Sequence, residues 1–249
     1  MWTIEPLLLH RALVPGPEVF FQRDFGEMID IGIHAFLLRS DDKVCLVDTG
    51  LAPDYARLNA DIRARKGAAS GFIDVGPSVD AQLRALGIAP DLLILTSFGP
   101  YATGRLEAWP DCPLWVSARG CADLLKPEEP ALFHSPTAGV RARILTAHQV
   151  VGQQEILPGL QVLEVGVHHT ASMAITVSTA QGVIGIADPV FVTRNLTDGI
   201  ALGVAEHAAQ WHRMVRSLGQ RCDALIPIHA VEPTAVPRSQ WHSCFTAES

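Results

Sequence analysis

Short apolar runs of strand length, each ending abruptly in a polar residue, restrict what this chain can fold into. Residues 44–47 run directly into Asp48-Thr49-Gly50, and residues 92–95 are apolar until Thr96. A continuous apolar run of this length is typical of a strand that is buried on both faces. Further runs of this kind occupy residues 35–40, 114–117, 161–165, 174–177, 182–187 and 224–228. The chain is therefore predicted to build its core from buried strands.

Helical patterns alternate with these runs in both halves of the chain. Apolar spacing and flanking residues predict helices over residues 53–66, 78–86, 119–125 and 203–218. Residues 68–75 are predicted as a loop, and the proline-rich residues 126–139 as an exposed loop near the entrance of a site. Because no Ser/Gly linker separates the halves, we predict one α/β domain over residues 1–249. It should contain two sheets, with its core from about residue 30 to residue 230.

Charge and cysteine content exclude several classes of function. The 19 Lys and Arg against 26 Asp and Glu give a net charge of −7, so binding to nucleic acid or to an anionic membrane is not expected. The five cysteines are widely spaced and form no CxxC pair, which argues against a zinc finger and for reduced thiols in a cytoplasmic protein. The first residues lack the features of a signal peptide, and no apolar stretch approaches the ~20 residues that span a bilayer.

Three polar residues of metal-ligand type lie after apolar runs in the second half. His169 follows residues 161–165 through a short loop, while Asp188 and His229 directly follow their strands. Side chains at strand ends are held in fixed positions, and imidazole with carboxylate is a donor set that zinc, iron or manganese accepts. Each of these histidines also has a hydrogen-bonded structural role as its alternative. From the residues alone, both interpretations stay open.

The order of these elements resembles the metallo-β-lactamase superfamily. The strand that ends in Asp48-Thr49-Gly50 resembles an early strand of that family. Residues 32–38 are similar to the first strands of its lactonase-like and glyoxalase II-like branches. The resemblance extends from about residue 30 to residue 230 and implies a four-layer αββα sandwich.

The metal-binding motif of that family, HxHxDH, is absent where the resemblance places it. Its four ligand positions fall on Ser97, Gly99, Tyr101 and Ala102, which are poor zinc ligands at neutral pH, although Gly104 matches the glycine after the motif. The resemblance leaves His169, Asp188 and His229 as inherited ligands, with Asp188 as the bridging one. We therefore expect no binuclear zinc site. The alternatives are a single divalent metal (zinc, iron or manganese), completed by His34, His168 or water, or no metal.

The remaining polar residues near these strand ends each have two interpretations. Asp48 is expected to support the pocket loops by hydrogen bonds, with a direct role as the alternative. His34 and His168 are candidates for substrate binding or for structural roles, and His168 is expected to point away from its neighbour. Tyr101 either donates a hydrogen bond to a substrate oxygen or fills space that a metal would take. Ser97 is a nucleophile only if a base lies beside it.

Two classes of function follow. The first is a hydrolase or lyase of a small ester, lactone, thioester or related carbonyl compound. Its chemistry would use one metal or metal-free His/Asp acid–base catalysis. A carboxylate between two imidazoles would hold one of them as a cation or orient its tautomer. The second is a metal-free relative that binds a small ligand or a protein partner. A homodimer is left open. The candidate catalytic residues are His169, Asp188, His229, Tyr101 and Ser97.

Overall fold

The computed structural model describes residues 1–125 and 136–246, and the strands of this part form two sheets. The strands are β1 (Thr3–Pro15), β2 (Met28–Arg39), β3 (Val44–Val47), β4 (Gly71–Asp74), β5 (Leu92–Ile94), β6 (Leu114–Ser117), β7 (His148–Val150), β8 (Gln153–Leu157), β9 (Leu160–Glu164), β10 (Met173–Thr179), β11 (Gly182–Ala187), β12 (Ala224–Pro227) and β13 (Val236–Pro237). The first sheet has the order β4-β1-β2-β3-β5-β6-β7, and the second has the order β13-β12-β11-β10-β9-β8.

The described helices connect these strands. They are α1 (Gly16–Val19), α2 (Ala56–Lys66), α3 (Val79–Ala85), α4 (Pro100–Thr103), α5 (Ala118–Leu125), α6 (Ala138–Leu145), α7 (Thr193–Thr197), α8 (Trp211–Gly219) and α9 (Ser243–Thr246), with short 3₁₀ turns at Leu106–Ala108, Ala208–Gln210 and Arg238–Gln240. In the part of the chain that the structure describes, no helix has the length and apolar character to cross a membrane.

Alternation along the central strands divides the apolar side chains between two cores. In β2, Phe36 and Leu38 join the cluster that fills the space between the sheets, where they meet residues such as Ile175 of β10. Leu37 of the same strand faces the other way, into a cluster with Leu83 of α3 and residues of α5 and α6. Successive residues of a strand point to opposite faces, so one apolar strand serves both cores. The predicted αββα sandwich with two sheets is confirmed.

The carboxyl ends of several strands meet at one edge of the sandwich. Strands β3 and β5 are parallel neighbours in the first sheet, and β11 and β12 are parallel neighbours in the second. A backbone hydrogen bond of 2.8 Å from Met173 N to Thr96 O joins the two sheets at this edge. Residues that follow these strands are therefore brought together although they are distant in sequence.

The structure differs from the sequence predictions in several segments. Strand β1 was not predicted, and it pairs with β2 along its whole length, from Thr3↔Arg39 to Pro15↔Met28. Strand β4 lies inside the predicted loop 68–75, where it pairs with β1 at the sheet edge. The helix predicted from residue 203 begins at Trp211, because the preceding backbone binds other segments: Glu206 N donates to His168 O, and His207 N donates to Val167 O. Of the predicted loop 126–139, residues 126–135 lie outside the described residues, and helix α6 begins at Ala138.

Candidate functional site

A buried cluster of imidazoles and one carboxylate lies at the shared strand edge. His168 and His169 follow β9, and Asp188 follows β11. One candidate ligand atom from each residue lies within 4.8 Å of those from the other two. The two imidazole rings lie side by side, with centroids 3.9 Å apart. His168 therefore points into the cluster beside His169, and the expectation that it points away is wrong.

Asp188 is held by two donors on one of its oxygens. Nδ1 of His168 donates to Oδ2 at 2.9 Å, and the Ser172 hydroxyl donates to the same oxygen at 2.5 Å. The Ser172 hydroxyl also accepts the backbone N–H of His169 at 2.8 Å. Asp188 thus fixes the tautomer of His168, while Ser172 ties the carboxylate to the backbone of the next histidine.

Tyr101 covers the cluster from the loop that follows β5. Its hydroxyl makes a hydrogen bond of 2.9 Å with Nε2 of His169, and its ring lies edge-on to His229 with centroids 5.4 Å apart. The same ring lies over the α-carbon of Gly99. A Cβ at position 99 would be 2.6 Å from Cε1 of Tyr101 and 3.0 Å from its hydroxyl oxygen. The large residue at 101 therefore requires the absence of a side chain at 99.

His229 faces the cluster from the end of β12. Its Nδ1 donates to the carbonyl oxygen of Gly32 at 2.9 Å, and because a carbonyl only accepts, the proton is on Nδ1 and Nε2 keeps its lone pair. The ring also packs edge-on against Phe191, with centroids 4.4 Å apart. Its orientation and tautomer are therefore fixed by groups outside the cluster.

Burial keeps the three imidazoles of this edge neutral. Desolvation lowers the pKa of His168 to about 3 and that of His229 to about 4, and it lowers the pKa of His169 well below its usual range. Desolvation also raises the pKa of Asp188, and the nearby imidazoles and hydroxyls counteract part of that effect. Of the two effects expected from a carboxylate among imidazoles, the structure supports tautomer control and not an imidazolium cation.

Tyr101 stays protonated for the same reason. Its phenol is buried, and desolvation followed by the negative charge of Asp188 raises its pKa well above the usual value of 10. It therefore remains a hydrogen-bond donor across the range of pH in which proteins work.

Asp48 and Ser97 lie deeper in the same edge. Asp48 has a left-handed backbone (φ 60°), and it accepts hydrogen bonds from the backbone N–H and hydroxyl of Thr96 at 2.8 and 2.6 Å. Desolvation raises its pKa to about 8. The hydroxyl of Ser97 accepts the N–H of Gly99 at 3.3 Å and lies beside Asp188, whose pKa it lowers. That Ser97 acts as a nucleophile with a base beside it stays a prediction.

A narrow apolar pocket of about 110 Å³ ends at this cluster. Tyr101, His168 and His229 line it together with side chains from β1, β2, β4 and α2. His34, which is buried on β2 with a pKa lowered to about 4 by desolvation, is not among the lining residues. A small molecule in this pocket would meet a phenol and two neutral imidazoles.

The residues present do not fit a binuclear metal site. Gly99 and Ala102 bring no ligand atom, and the Tyr101 phenol is hydrogen-bonded to Nε2 of His169. Among the described residues the group of metal-ligand type is His168, His169 and Asp188 rather than the predicted His169, Asp188 and His229. Nε2 of His169 is hydrogen-bonded to Tyr101, so an ion bound at that nitrogen would have to displace the phenol. Among the described residues Oδ1 of Asp188 accepts no hydrogen bond, so an ion could bind this atom with the His168–Asp188 bond intact.

Sequence reasoning named His168 as a candidate ligand or substrate-binding residue but expected the wrong direction for its side chain, and it missed Ser172. Neither residue belongs to a motif, and the sequence signal for both is a position within three residues of His169. The structure brings Tyr101, His169, Asp188 and His229 to one cleft. His34 is buried on β2 and does not line the pocket.

Comparison with known proteins gives structural similarity only. No protein-family model matches the sequence, and no curated protein matches it. A probable metal-dependent hydrolase from Staphylococcus aureus has a TM-score of 0.74 at 13% identity, with 96% of this chain and 93% of that chain covered. A mutant of AiiA from B. thuringiensis with N-decanoyl-L-homoserine bound at the active site has a TM-score of 0.70 at 16% identity, covering 88% and 87%. AidC, a dizinc quorum-quenching lactonase in complex with its product N-hexanoyl-L-homoserine, has a TM-score of 0.67 at 12% identity, covering 95% and 90%. These similarities and the two-sheet architecture show that this chain has the metallo-β-lactamase fold.

Proposed function

We propose that this protein is a hydrolase of a small carbonyl compound, an ester, lactone or thioester, and that it works without a binuclear zinc site. The observation that carries the proposal is the hydrogen bond between the Tyr101 phenol and His169 at the floor of a small apolar pocket. Two of the compared structures hold N-acyl-homoserine products, which supports a lactone-like substrate. A small-molecule substrate suits a pocket of this size, whereas nucleic acid and membrane partners do not suit the charge of −7.

The residues of the floor divide the chemistry between them. Tyr101, a protonated phenol, donates a hydrogen bond to the carbonyl oxygen, where negative charge develops as water adds. His229 accepts the proton of the attacking water at Nε2, because its Nδ1 is committed to Gly32. Nε2–H of His169 donates to the Tyr101 oxygen, which leaves the phenol proton for the substrate, and Asp188 holds His168 in place beside His169. Ser97 and Asp48 support the loop and do not contact the substrate.

Two alternatives remain as outcomes of the same experiments. A single divalent metal (zinc, iron or manganese) on His168, His169 and Asp188 would act as a Lewis acid on the carbonyl oxygen in place of the phenol. A non-catalytic relative would bind a ligand in the pocket and turn nothing over. The cytoplasmic location and the homodimer remain predictions, for fractionation and light scattering to test.

Metal content and turnover on the same preparation test the proposal. Protein purified without a metal-affinity tag should contain far less than one equivalent of zinc, iron or manganese by plasma mass spectrometry. It should hydrolyse small lactones or esters at a rate that EDTA does not change. Tyr101→Phe and His229→Gln should each lower kcat by roughly two orders of magnitude, the usual scale for one oxyanion donor or one general base. His207→Ala, at an exposed position, is the control and should keep the wild-type rate. Stoichiometric metal, or unchanged rates in both variants, would refute the proposal.

A further inference from the structure

The pocket above the cluster has apolar walls and a charged mouth. Its floor residues Tyr101, His168 and His229 are largely buried. At the other end Lys66 and Glu18 keep 31% and 23% of their side chains exposed, which places them at the solvent side. The walls between the two ends are Val14, Ile31, Ile33, Leu58, Ile62 and Phe72. A ligand that spans the pocket therefore meets polar groups only at its two ends.

Charged side chains line the mouth of the pocket. They are Arg65 and Lys66, at the carboxyl end of α2, and Glu18. Nζ of Lys66 lies 2.5 Å from Oε2 of Glu18. The charge of Lys66 also reaches the floor, because it contributes to the lowered pKa of His168. A ligand carboxylate at this mouth could take the place of the Glu18 carboxylate on Lys66.

We propose that the substrate is a small lactone that bears a carboxylate, and that Lys66 binds this carboxylate in place of Glu18. The proposal rests on the proposed function and names its substrate class. A dry cavity of about 150 Å³ holds benzene, so about 110 Å³ suits a five- or six-membered ring and not a long acyl chain.

A lactone also explains how one small pocket suffices. Water adds to the ring carbonyl carbon, the ring carbon–oxygen bond breaks, and the ring oxygen keeps one proton of the water as a hydroxyl. The new carboxylic acid releases the other proton. Both halves of the substrate stay in one molecule, so no second pocket for a leaving group is needed. The product is a hydroxy-dicarboxylate, and its formation releases one proton for each ring opened.

Binding of an inert analogue tests the pocket independently of turnover. Cyclopentanecarboxylate has the ring and the charge but no bond to hydrolyse, and calorimetry should show that it binds the wild-type protein at one site. Lys66→Met should weaken this binding about 10- to 100-fold, the scale of a charge-assisted hydrogen bond. Glu18→Gln should strengthen it, because the competing carboxylate is removed. The matched control is Lys43→Met, which removes an exposed lysine from the β2–β3 turn and should leave the affinity unchanged. Neutral cyclopentanecarboxamide should bind the wild type and Lys66→Met alike.

Measurements of turnover then distinguish a failure of the carboxylate site from a failure of the proposed hydrolase function. With 5-oxotetrahydrofuran-2-carboxylate followed by a pH indicator, Lys66→Met should raise KM at least tenfold more than it lowers kcat, and Lys66→Arg should restore most of the affinity. Binding of the analogue without turnover of any lactone refutes the proposed function but supports the carboxylate site. Turnover of neutral lactones with the same KM as the carboxylated one, or equal analogue binding by the wild type and Lys66→Met, overturns this inference. If Lys66→Met does not fold, the Glu18→Gln result decides: unchanged affinity overturns the inference.

Discussion

The close contact between Gly99 and the ring of Tyr101 predicts a measurable energetic coupling between the two positions. The backbone of Gly99 (φ −65°, ψ 157°) suits any residue, so alanine there brings no backbone strain. Its Cβ, however, would lie 2.6 and 2.7 Å from two carbons of the phenol ring, well inside ordinary contact. Overpacking of this kind costs about 1–3 kcal/mol. Gly99→Ala should therefore destabilise the wild type by that amount and cost almost nothing in a Tyr101→Ala background.

A double-mutant cycle in urea measures this coupling. The free energies of unfolding of the wild type, both single variants and the double variant should give an interaction energy of about 1–3 kcal/mol, in favour of the double variant. Gly139→Ala is the matched control. It is a second glycine near a helix start, where a Cβ would meet nothing closer than a glutamate oxygen at 3.8 Å, so its cost should be the same in both backgrounds. An interaction energy near zero would show that the ring does not lie over Gly99.

Three further predictions are tested by urea unfolding or by zinc content. Between pH 7.0 and 5.5, His34→Gln should lose about 1 kcal/mol less of its free energy of unfolding than the wild type loses. In the wild type the unfolded chain takes up a proton on His34 near pH 6.5, whereas the folded chain does so only near pH 4. Equal losses in the two proteins would contradict a neutral buried imidazole. Tyr101→Asp should bind zinc up to about one equivalent after dialysis against micromolar zinc. The substitution removes the phenol from His169 and adds a carboxylate beside it. A zinc content equal to that of the wild type would show that Tyr101 does not exclude metal. Gly104→Ala should lower the free energy of unfolding in urea by more than about 3 kcal/mol or abolish folding, because its Cβ would be 2.0 Å from the backbone nitrogen of Ala52. A loss below about 1 kcal/mol would contradict that packing.

The parts of the fold that follow from the sequence are those that burial alone determines. Strands β3 and β5 are continuous apolar runs, and β10 and β11 are mostly apolar, so burial between other layers is expected for all four. Strand β1 was missed because Pro6, His10 and Arg11 interrupt its apolar pattern, and because its stability comes from pairing with β2 and not from local preference. Strand β4 depends in turn on β1, so neither is visible to local reasoning.

Of the candidate site, too, the sequence predicts only the residues that strand ends place. Strand ends place Asp188 and His229 at the cleft, because a rigid sheet fixes where its side chains emerge. Which of two adjacent histidines enters the cleft is decided instead by loop backbone. Gly166, with φ +61°, turns the chain just after β9, and the loop then returns to bind Ser172, so both imidazoles face Asp188. A tyrosine at position 101 carries no pattern of its own. Its partner His169 is 68 residues away in sequence.

Hydrogen-bond donors set the electrostatics of the buried carboxyl groups in the cleft. Asp48 and Asp188 are both buried, and desolvation raises the pKa of each. Thr96 donates twice to Asp48, and Ser172 and His168 donate to Asp188, and these donors counteract part of that effect. Donors of this kind are neutral, so they stabilise a carboxylate without attracting further ligands or water. Under the proposed function, the phenol of Tyr101 would meet the carbonyl oxygen of the substrate. The rate of hydrolysis should then depend on the packing that aims this phenol, beginning with Gly99.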